Sequence, residues 1–226
     1  RYSKFLSLVN EKSSPLEKIK AYLECHNRDF IPEQIQVFDE KSNFSWDVIY
    51  KIFYPYFNNS LPILNQVLLA DYNGKLLHNF TFVNKKINEH FNIREIMPIL
   101  SPNLISYSSH LDPKYKYDYE NHSGKILLRK LAEKLELNSF IKNEKQGFSM
   151  NTINLWKRHG KNICSYFLLD SRAARDGWIS HEWIKKNISQ DDIDVRHVHK
   201  FFGLLAVEIW YRLFVTNEMS SKEKLE

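Results

Sequence analysis

Helical spacing of apolar residues runs through this sequence and restricts it to a mostly helical fold. Ser14-Pro15-Leu16-Glu17 combines a hydroxyl cap, a proline at the first helical position and a glutamate that completes a capping box. Leu16, Ile19 and Leu23 then fall on one helix face. Alternating strand patterns are scarce, and no stretch shows the rhythm of a βαβ unit. We therefore predict an all-α chain.

Further helix signals continue to the end of the chain. A second serine–proline start, Ser101-Pro102, opens a helix that reaches Leu111. The last segment, Ile193 to Phe214, is apolar nearly all round, so we expect it to be buried between other helices. The remaining predicted helices run from Trp46 to Tyr54, Pro62 to Asp71, Lys75 to Phe91, Lys125 to Leu137, Thr152 to Leu169 and His181 to Ile188.

Glycines are too scarce for a phosphate-binding loop. The chain contains only six, and no two of them lie within ten residues of each other. Neither a dinucleotide fingerprint nor a Walker-type loop occurs in such a sequence. If the protein handles ATP, another segment must hold the phosphates. The net charge of +5 is spread along the chain, which permits phosphate binding without requiring nucleic acid.

Histidines and cysteines do not support a metal centre or a covalent nucleophile. His197 and His199 are two residues apart and so point to different sides of a helix. Cys25 and Cys164 lack the paired spacing of a zinc site, and we expect both to be reduced core thiols. We predict no metal site. The longest uncharged apolar stretch, 201–207, is too short to span a membrane, so we expect a cytoplasmic protein.

The segment 142–149 is the strongest candidate for binding chemistry. It places lysines and Gly147 between two predicted helices, in a loop whose backbone can approach a ligand closely. The compact ammonium group of Lys145 is suited to neutralising charge that develops on a phosphoryl group. Lys125 and Arg129, four residues apart on a predicted helix face, are candidates for a basic patch. Lysines and arginines in such positions are also typical of solvated surfaces.

Four motifs follow one another between Asp71 and Phe214. They are the helix start Lys125-Ile126-Leu127-Leu128-Arg129, the loop Lys145-Gln146-Gly147-Phe148 with Leu155-Trp156 behind it, the segment from Leu169 to Gly177-Trp178, and the final helix with Glu208 and Trp210. In this order they resemble the carboxy-terminal part of the synthetase domain of glutamine-hydrolysing asparagine synthetase. That enzyme belongs to the PP-loop ATP pyrophosphatase superfamily.

The resemblance implies an ATP-dependent amide ligase of asparagine biosynthesis, an amidotransferase. The complete enzyme uses ATP and Mg2+ to adenylate the side-chain carboxylate of aspartate and releases pyrophosphate. Ammonia, from glutamine or free, then displaces AMP to give asparagine. The resemblance assigns Lys145 to stabilising the pyrophosphate and the adenylated intermediate, and Gly147 to turning the loop under the ligand.

The resemblance also implies that this chain is a fragment. The family's ATP-binding Ser-Gly-Gly-x-Asp-Ser loop and its acidic pyrophosphate loop have no counterpart in the sequence, and Arg1-Tyr2 resembles the pair that follows the second loop. We expect the helical portion of an adenine-nucleotide alpha-hydrolase-like α/β domain, inactive and without bound ATP when isolated. Its expected partners are the missing nucleotide-binding half and a glutaminase domain. The expected divisions are a helical connection over 1–60, the synthetase-like segment over 61–217 and a frayed tail over 218–226.

Two departures from the family pattern put the substrate in question. The family's Glu-x-Arg-x-Pro-Phe-Leu-Asp motif places its glutamate at Arg94, with Glu95 beside it, and its Asp-Arg pair falls at Lys85-Lys86. A base in place of an acid strengthens the attraction for an anionic substrate. We retain Arg94 and Glu95 as candidate substrate-binding residues, although a solvated turn is an equal interpretation.

Two alternatives therefore stay open. One is a related enzyme that makes another amide, such as a β-lactam synthetase or a peptide-cyclising enzyme. The other is a helical interaction module without chemistry, in which exposed aromatic residues form a contiguous patch. The asparagine synthetase interpretation instead buries Phe201, Phe202 and Trp210.

Overall fold

The computed structural model describes residues 2–26, 31–137, 139, 151–190 and 192–223. These residues are mostly helical, with one two-stranded sheet, and the predicted all-α class is confirmed. The chain divides into two compact units. Unit 1 comprises Arg1–Cys25 and Ile49–Lys145, and unit 2 comprises His26–Val48 and Gln146–Glu226. The boundaries expected near residues 60 and 217 stay predictions.

Unit 1 is built mainly from helices. They are α1 (Tyr2–Leu8), α2 (Pro15–Glu24), α3 (Trp46–Phe57, in this unit from Ile49), α4 (Ile63–Asp71), α5 (Phe82–His90), α6 (Pro102–His110) and α7 (Ile126–Lys134). Strands β1 (Tyr117–Asp118) and β2 (Ser123–Gly124) form an antiparallel hairpin between α6 and α7. Short 3-10 turns lie at Pro98–Leu100 and Pro113–Tyr115.

The start of α2 confirms the predicted capping box. The Ser14 side chain accepts the Glu17 N–H at 3.3 Å, and the Glu17 carboxylate accepts the Ser14 N–H at 2.7 Å. The two predicted helices 62–71 and 75–91 are instead one continuous helical stretch. A π-helical segment, Tyr72–Thr81, joins α4 to α5, because no proline interrupts the chain there and an interior glycine such as Gly74 is tolerated in a helix.

The core of unit 1 lies where α1, α2, α3 and α4 meet. Side chains of α1 and α2 pack with Phe57 at the end of α3, and the rings of Phe5 and Tyr22 each lie within about 6 Å of the Phe57 ring. The buried apolar residues of this unit are Phe5, Val9, Ile19, Ala21, Tyr22, Leu23, Phe57, Ile63, Leu64, Val67, Ala70 and Tyr117. This core fixes α1 and α4, which carry polar groups toward the hairpin.

Unit 2 contains α8 (Thr152–Leu155), α9 (Lys161–Leu168), α10 (Arg172–Arg175), α11 (His181–Ile188) and α12 (Val195–Phe214). A π-helical turn, Trp156–Gly160, connects α8 to α9, so the predicted helix 152–169 is present with a change of winding in its middle. The unit also includes 3-10 turns at Gln34–Val37 and Glu40–Ser42. The Ser180 N–H donates to the Val37 carbonyl oxygen at 2.9 Å, which ties this segment to the start of α11.

The predicted complete burial of the final helix is wrong. One face of α12 packs on α8, α9 and α10 and buries Val198, Phe201, Leu204, Glu208 and Tyr211. On its other face Trp210 is 53% exposed and Phe214 is 69% exposed, with ring centroids 6.4 Å apart. Apolar composition alone does not bury a helix; a neighbouring element must cover each face. The buried Phe201 agrees with the synthetase interpretation, whereas the exposed Trp210 is what the interaction-module alternative predicts.

Among the described residues, no helix has both the length and the apolar composition needed to cross a bilayer. Cys25 and Cys164 are both free thiols; Cys164 is buried, as predicted for a core thiol, whereas Cys25 is only half-buried, so its predicted place in the core is wrong.

Candidate functional site

The predicted catalytic loop lies outside the described residues. Lys145 and Gly147 fall within 140–150, between Ser139 and Asn151. Asn151 begins the next helix, and its side-chain oxygen accepts the Asn154 N–H at 2.9 Å. The roles of Lys145 and Gly147 therefore stay predictions.

Lys125 and Arg129 lie at the junction of the hairpin and α7. Lys125 is exposed and adopts a left-handed backbone conformation, φ 63° and ψ 34°, immediately after β2. Arg129 is half-buried, and its Nε donates to the Gly124 carbonyl oxygen at 3.2 Å. The predicted helix start at Lys125 is thus corrected to Ile126, because the chain must turn sharply between β2 and α7. Lys125 precedes the helix and does not share a helix face with Arg129.

Arg94 and Glu95 lie in an irregular segment between α5 and the turn at Pro98–Leu100. Arg94 is exposed and Glu95 is half-buried. Within the described part of the chain, neither forms a hydrogen bond or ion pair with Lys125 or Arg129. Lys125 and Arg129 are joined through the backbone, where the Arg129 N–H donates to the Lys125 carbonyl oxygen at 3.0 Å, and no such bond links Arg94 or Glu95 to them among the described residues.

A polar cluster that sequence reasoning missed lies at the hairpin. The Ser3 hydroxyl on α1 lies 2.9 Å from the Tyr117 hydroxyl and 3.1 Å from His122 Nδ1. Asp118 accepts hydrogen bonds from the Asn121 side chain and backbone, which lower the pKa of Asp118 and keep this acceptor of the turn ionised. No local spacing signals the cluster, since Ser3 is 114 residues from Tyr117 in the sequence.

A carboxylate at the end of α4 anchors two tyrosines. Asp71 accepts the Tyr2 hydroxyl at 2.8 Å and the Tyr22 hydroxyl at 2.9 Å. The Tyr2 ring also lies edge-on to Tyr117, with centroids 6.0 Å apart. Tyr2 thus connects α1 with α4 and with the hairpin that precedes Lys125.

A fully buried carboxylate organises the start of α10 in unit 2. Glu208 of α12 accepts hydrogen bonds from the Ser171 hydroxyl at 2.6 Å and from the Arg172 and Ala173 N–H groups at 2.9 and 3.1 Å. The Arg212 Nε donates to the same carboxylate at 2.6 Å. Two motifs distant in sequence therefore meet at Glu208.

An ion network surrounds this contact on the solvent side. Asp170 pairs with Arg172 at 2.9 Å and also pairs with Arg175. Desolvation raises the pKa of Asp170, but the positive charges of the two arginines outweigh it and hold this pKa below its usual range. The Arg172 Nε also pairs with Glu218 at 2.5 Å. Glu218 is the first residue of the tail that the sequence predicts to be frayed.

A sequence profile for asparagine synthase matches residues 27–212. This chain belongs to the asparagine synthase family. No curated protein and no solved structure matches it. The match covers most of the chain and extends over both motifs that meet at Glu208, so the predicted family is confirmed.

The structure shows what the family motif from Ser171 to Gly177 does in this chain. Ser171 caps α10 by accepting the Ala174 N–H at 3.0 Å, while Glu208 holds the hydroxyl in place. Gly177 follows α10 with φ +79°, a conformation that side-chain-bearing residues rarely adopt. In this asparagine synthase family member, the Ser-Arg-Ala-x-x-x-Gly segment thus forms a short helix that Ser171 caps at its start, followed by a left-handed turn at Gly177.

One of the two departures from the family pattern, the pair Lys85-Lys86, lies on the surface of α5. Lys85 and Lys86 both face Glu89, with N–O distances of 3.8 and 3.1 Å. Two cations share one carboxylate, so the departure leaves a net positive charge on this turn. In the described part of the chain, no three His, Cys, Asp or Glu side chains come together where they could hold a metal ion.

Proposed function

We propose that this chain is the helical part of an ATP-dependent synthetase that converts aspartate to asparagine. The match of residues 27–212 to asparagine synthase carries the proposal. In the proposed reaction, a side-chain carboxylate oxygen of aspartate attacks the α-phosphorus of ATP, and the bond to pyrophosphate breaks. Ammonia then attacks the activated carbonyl carbon and loses a proton, and AMP leaves with the carboxylate oxygen.

We assign Lys145 the catalytic role in this chain. Its ammonium group would neutralise the charge that builds on pyrophosphate as it leaves. Gly147 would allow the loop to pass close to the ligand. Lys125 and Arg129 at the start of α7, with Arg94 and Glu95, are proposed as phosphate-binding or substrate-binding residues. The exposure of Lys125 and Arg94 is compatible with binding.

We further propose that the ATP phosphates and Mg2+ are held mainly by a segment outside these 226 residues. The wide spacing of the six glycines supports this assignment, because no phosphate cradle can be formed from them. A glutaminase would supply the ammonia. The isolated chain would then neither bind ATP tightly nor exchange pyrophosphate. The need for ATP also favours a cytoplasmic location.

The proposed chemistry is tested on the complete gene product with aspartate labelled by 18O in its side-chain carboxylate. One labelled oxygen should appear in AMP for each asparagine formed. Label in inorganic phosphate would instead show transfer of the γ-phosphoryl group and would contradict adenylation. Lys145→Ala should reduce synthesis by about 100-fold to 1,000-fold, as for other groups that stabilise transition-state charge. Lys142→Ala, in the same loop, is the matched control and should retain activity.

A related amide-forming enzyme is the second candidate function. The observation that favours it is the excess positive charge on α5, where Lys85 and Lys86 share Glu89. An anionic substrate larger than aspartate, closing on its own amine, would suit this change. Product analysis by mass spectrometry with aspartate, glutamine and ATP separates the two. Asparagine supports the first function, whereas AMP release only with another carboxylate supports the second.

A further inference from the structure

Helix α12 carries an apolar stripe on the side that faces away from the core of unit 2. Gly203, Val207, Trp210 and Phe214 follow one another at spacings of four, three and four residues, so they lie within roughly 60° of the helix circumference. Val207 is 44% exposed, and Gly203 is exposed like the two aromatic residues. We call these four residues the outer stripe. The outward side of a surface helix is ordinarily polar, so the outer stripe indicates a surface for a partner.

No charged side chain interrupts the outer stripe. Between Gly203 and Phe214 the charged residues are Glu208 and Arg212, and they pair with each other at 2.6 Å on the inner side of α12. A partner recognised by its charge, such as an anionic lipid surface, would meet no basic group on the stripe. The complementary partner is therefore another uncharged apolar surface.

The outer stripe has a gap at one end and a projection at the other. No described atom lies within 4 Å of a Cβ atom placed at Gly203, so nothing in the described part of the chain requires glycine there. Glycine also weakens the middle of a helix relative to alanine. At the other end, the large rings of Trp210 and Phe214 lie together, with centroids 6.4 Å apart. A partner that fills the gap with a large side chain would explain the glycine.

A second copy in antiparallel orientation fits this shape. With a two-fold axis between positions 208 and 209, Gly203 lies opposite the second copy's Phe214, and Val207 lies opposite the second copy's Trp210. One register satisfies both pairs, and the symmetry uses each pair twice. A parallel pair would place glycine against glycine and ring against ring, which leaves a void at one end and crowds the other.

We propose that the outer stripe is a self-association surface, on which two copies of this chain pair through antiparallel α12 helices. One helix pair is small beside the interface of a permanent dimer, so the association is reversible and depends on concentration. The inference does not rest on the proposed reaction, because every residue that carries it lies on α12.

Photocrosslinking of the complete gene product tests the pairing. Phe214 is replaced by p-benzoylphenylalanine, and unlabelled and 15N-labelled proteins are mixed before irradiation. We expect crosslinked peptides of mixed isotope content that join position 214 to residues 200–207 of the other copy. The same photoreactive residue at Tyr166 is the matched control, because Tyr166 is 71% exposed on α9, which packs on the inner side of α12. It should give at least tenfold less mixed crosslink.

Gly203→Gln tests whether the gap is needed. Glutamine favours helix over glycine, so α12 stays helical while the added side chain occupies the space for the second copy's Phe214. The mixed crosslink from position 214 should fall at least fivefold, and sedimentation velocity should show a smaller dimer fraction. Gly74→Gln, at an exposed helical glycine of unit 1, is the matched control and should leave both unchanged. Circular dichroism checks that both variants fold.

Four outcomes would overturn the proposed pairing. Crosslinks of position 214 within a single copy would show that another part of the same gene product covers the outer stripe. Mixed crosslinks that join position 214 only to position 214 would show a parallel pair. The other two are the absence of any crosslink to residues 200–207 and an unchanged yield in Gly203→Gln.

Discussion

Glu208 is the residue on which the packing of α10 against α12 depends. Its carboxylate is fully buried and accepts hydrogen bonds from the Ser171 hydroxyl, two backbone N–H groups and Arg212. Glu208→Gln would bring an amide N–H2 group against these donors and leave Arg212 without its buried counter-charge. Because breaking one side of a buried pair is strongly destabilising, we expect a loss of about 3 kcal/mol in unfolding free energy. Urea unfolding followed by tryptophan fluorescence measures it.

Glu218→Gln is the matched control for this substitution. Glu218 also pairs with an arginine, Arg172, but it is exposed to solvent. Exposed ion pairs contribute little, so the loss should stay below about 1 kcal/mol. Equal losses in the two variants would show that burial of Glu208 does not matter.

Cys164 is predicted to be unreactive while the chain is folded. Desolvation by burial raises the pKa of its thiol to about 12. The thiolate is the reactive form, and a thiol pKa three units above the reference value of 9.0 lowers the thiolate fraction at pH 8 about 1,000-fold. Iodoacetamide at pH 8 should therefore leave Cys164 unmodified in native protein and modify it in urea, as followed by peptide mass spectrometry. Rapid native modification would mean that Cys164 is accessible.

At the scale of elements, Gly160 allows α9 and α12 to approach each other closely. A Cβ atom at this position would lie 2.8 Å from a ring carbon of Phe202 and 3.2 Å from Trp156. Gly160→Ala is expected to destabilise the protein by about 1–3 kcal/mol through overpacking, even though alanine favours helix. Phe202→Leu should recover part of the loss in a double-mutant cycle by thermal unfolding.

Gly203 on α12 provides the comparison, since no atom lies within 4 Å of a Cβ placed there. Gly203→Ala should stabilise the helix by up to about 1 kcal/mol. If Gly160→Ala were also stabilising, close approach to Phe202 would not be the reason for glycine at position 160.

Helix positions were predictable where the chemistry is local. Ser14 and Glu17 are three residues apart and exchange the hydrogen bonds of a capping box, and Ser101-Pro102 marks the start of α6. A few consecutive residues are therefore enough to predict where these helices begin. The π-helical segment Tyr72–Thr81 is different. No short sequence pattern indicates that this segment is π-helical or that it continues from α4 into α5. The spacing of apolar residues at 3.6 per turn is typical of an α-helix and does not predict the wider π-helical turn.

The candidate site was less predictable than the helices, because its contacts join residues that are far apart in the sequence. Ser3 and His122 are 119 residues apart, and Ser171 and Glu208 are 37 apart, so neither contact has a spacing pattern. Motif order indicated that Ser171, Arg172 and Glu208 belong to one family, which the match over residues 27–212 confirms. Motif order did not indicate that the Glu208 carboxylate accepts hydrogen bonds from the start of the Ser171–Gly177 motif. Chemistry at Lys145 stays a prediction, because that residue lies outside the described part.

For the whole molecule, the division into two units gives tryptophan fluorescence a specific meaning. All five tryptophans belong to unit 2, at positions 46, 156, 178, 183 and 210. Each unit has a core of its own, with Leu64 buried in unit 1 and Leu168 buried in unit 2. The fluorescence therefore reports on one core, whereas far-UV circular dichroism reports on the helices of both.

Leu168→Ala and Leu64→Ala form a matched pair for testing whether the units unfold separately. Each removes the same atoms from a fully buried position and should cost about 2–5 kcal/mol in its own unit. We expect Leu168→Ala to lower the urea midpoint of the fluorescence transition. Leu64→Ala should leave that transition in place and shift only the circular dichroism curve, which then shows two phases. A fluorescence midpoint lowered equally by both variants would mean that the two cores unfold as one cooperative unit.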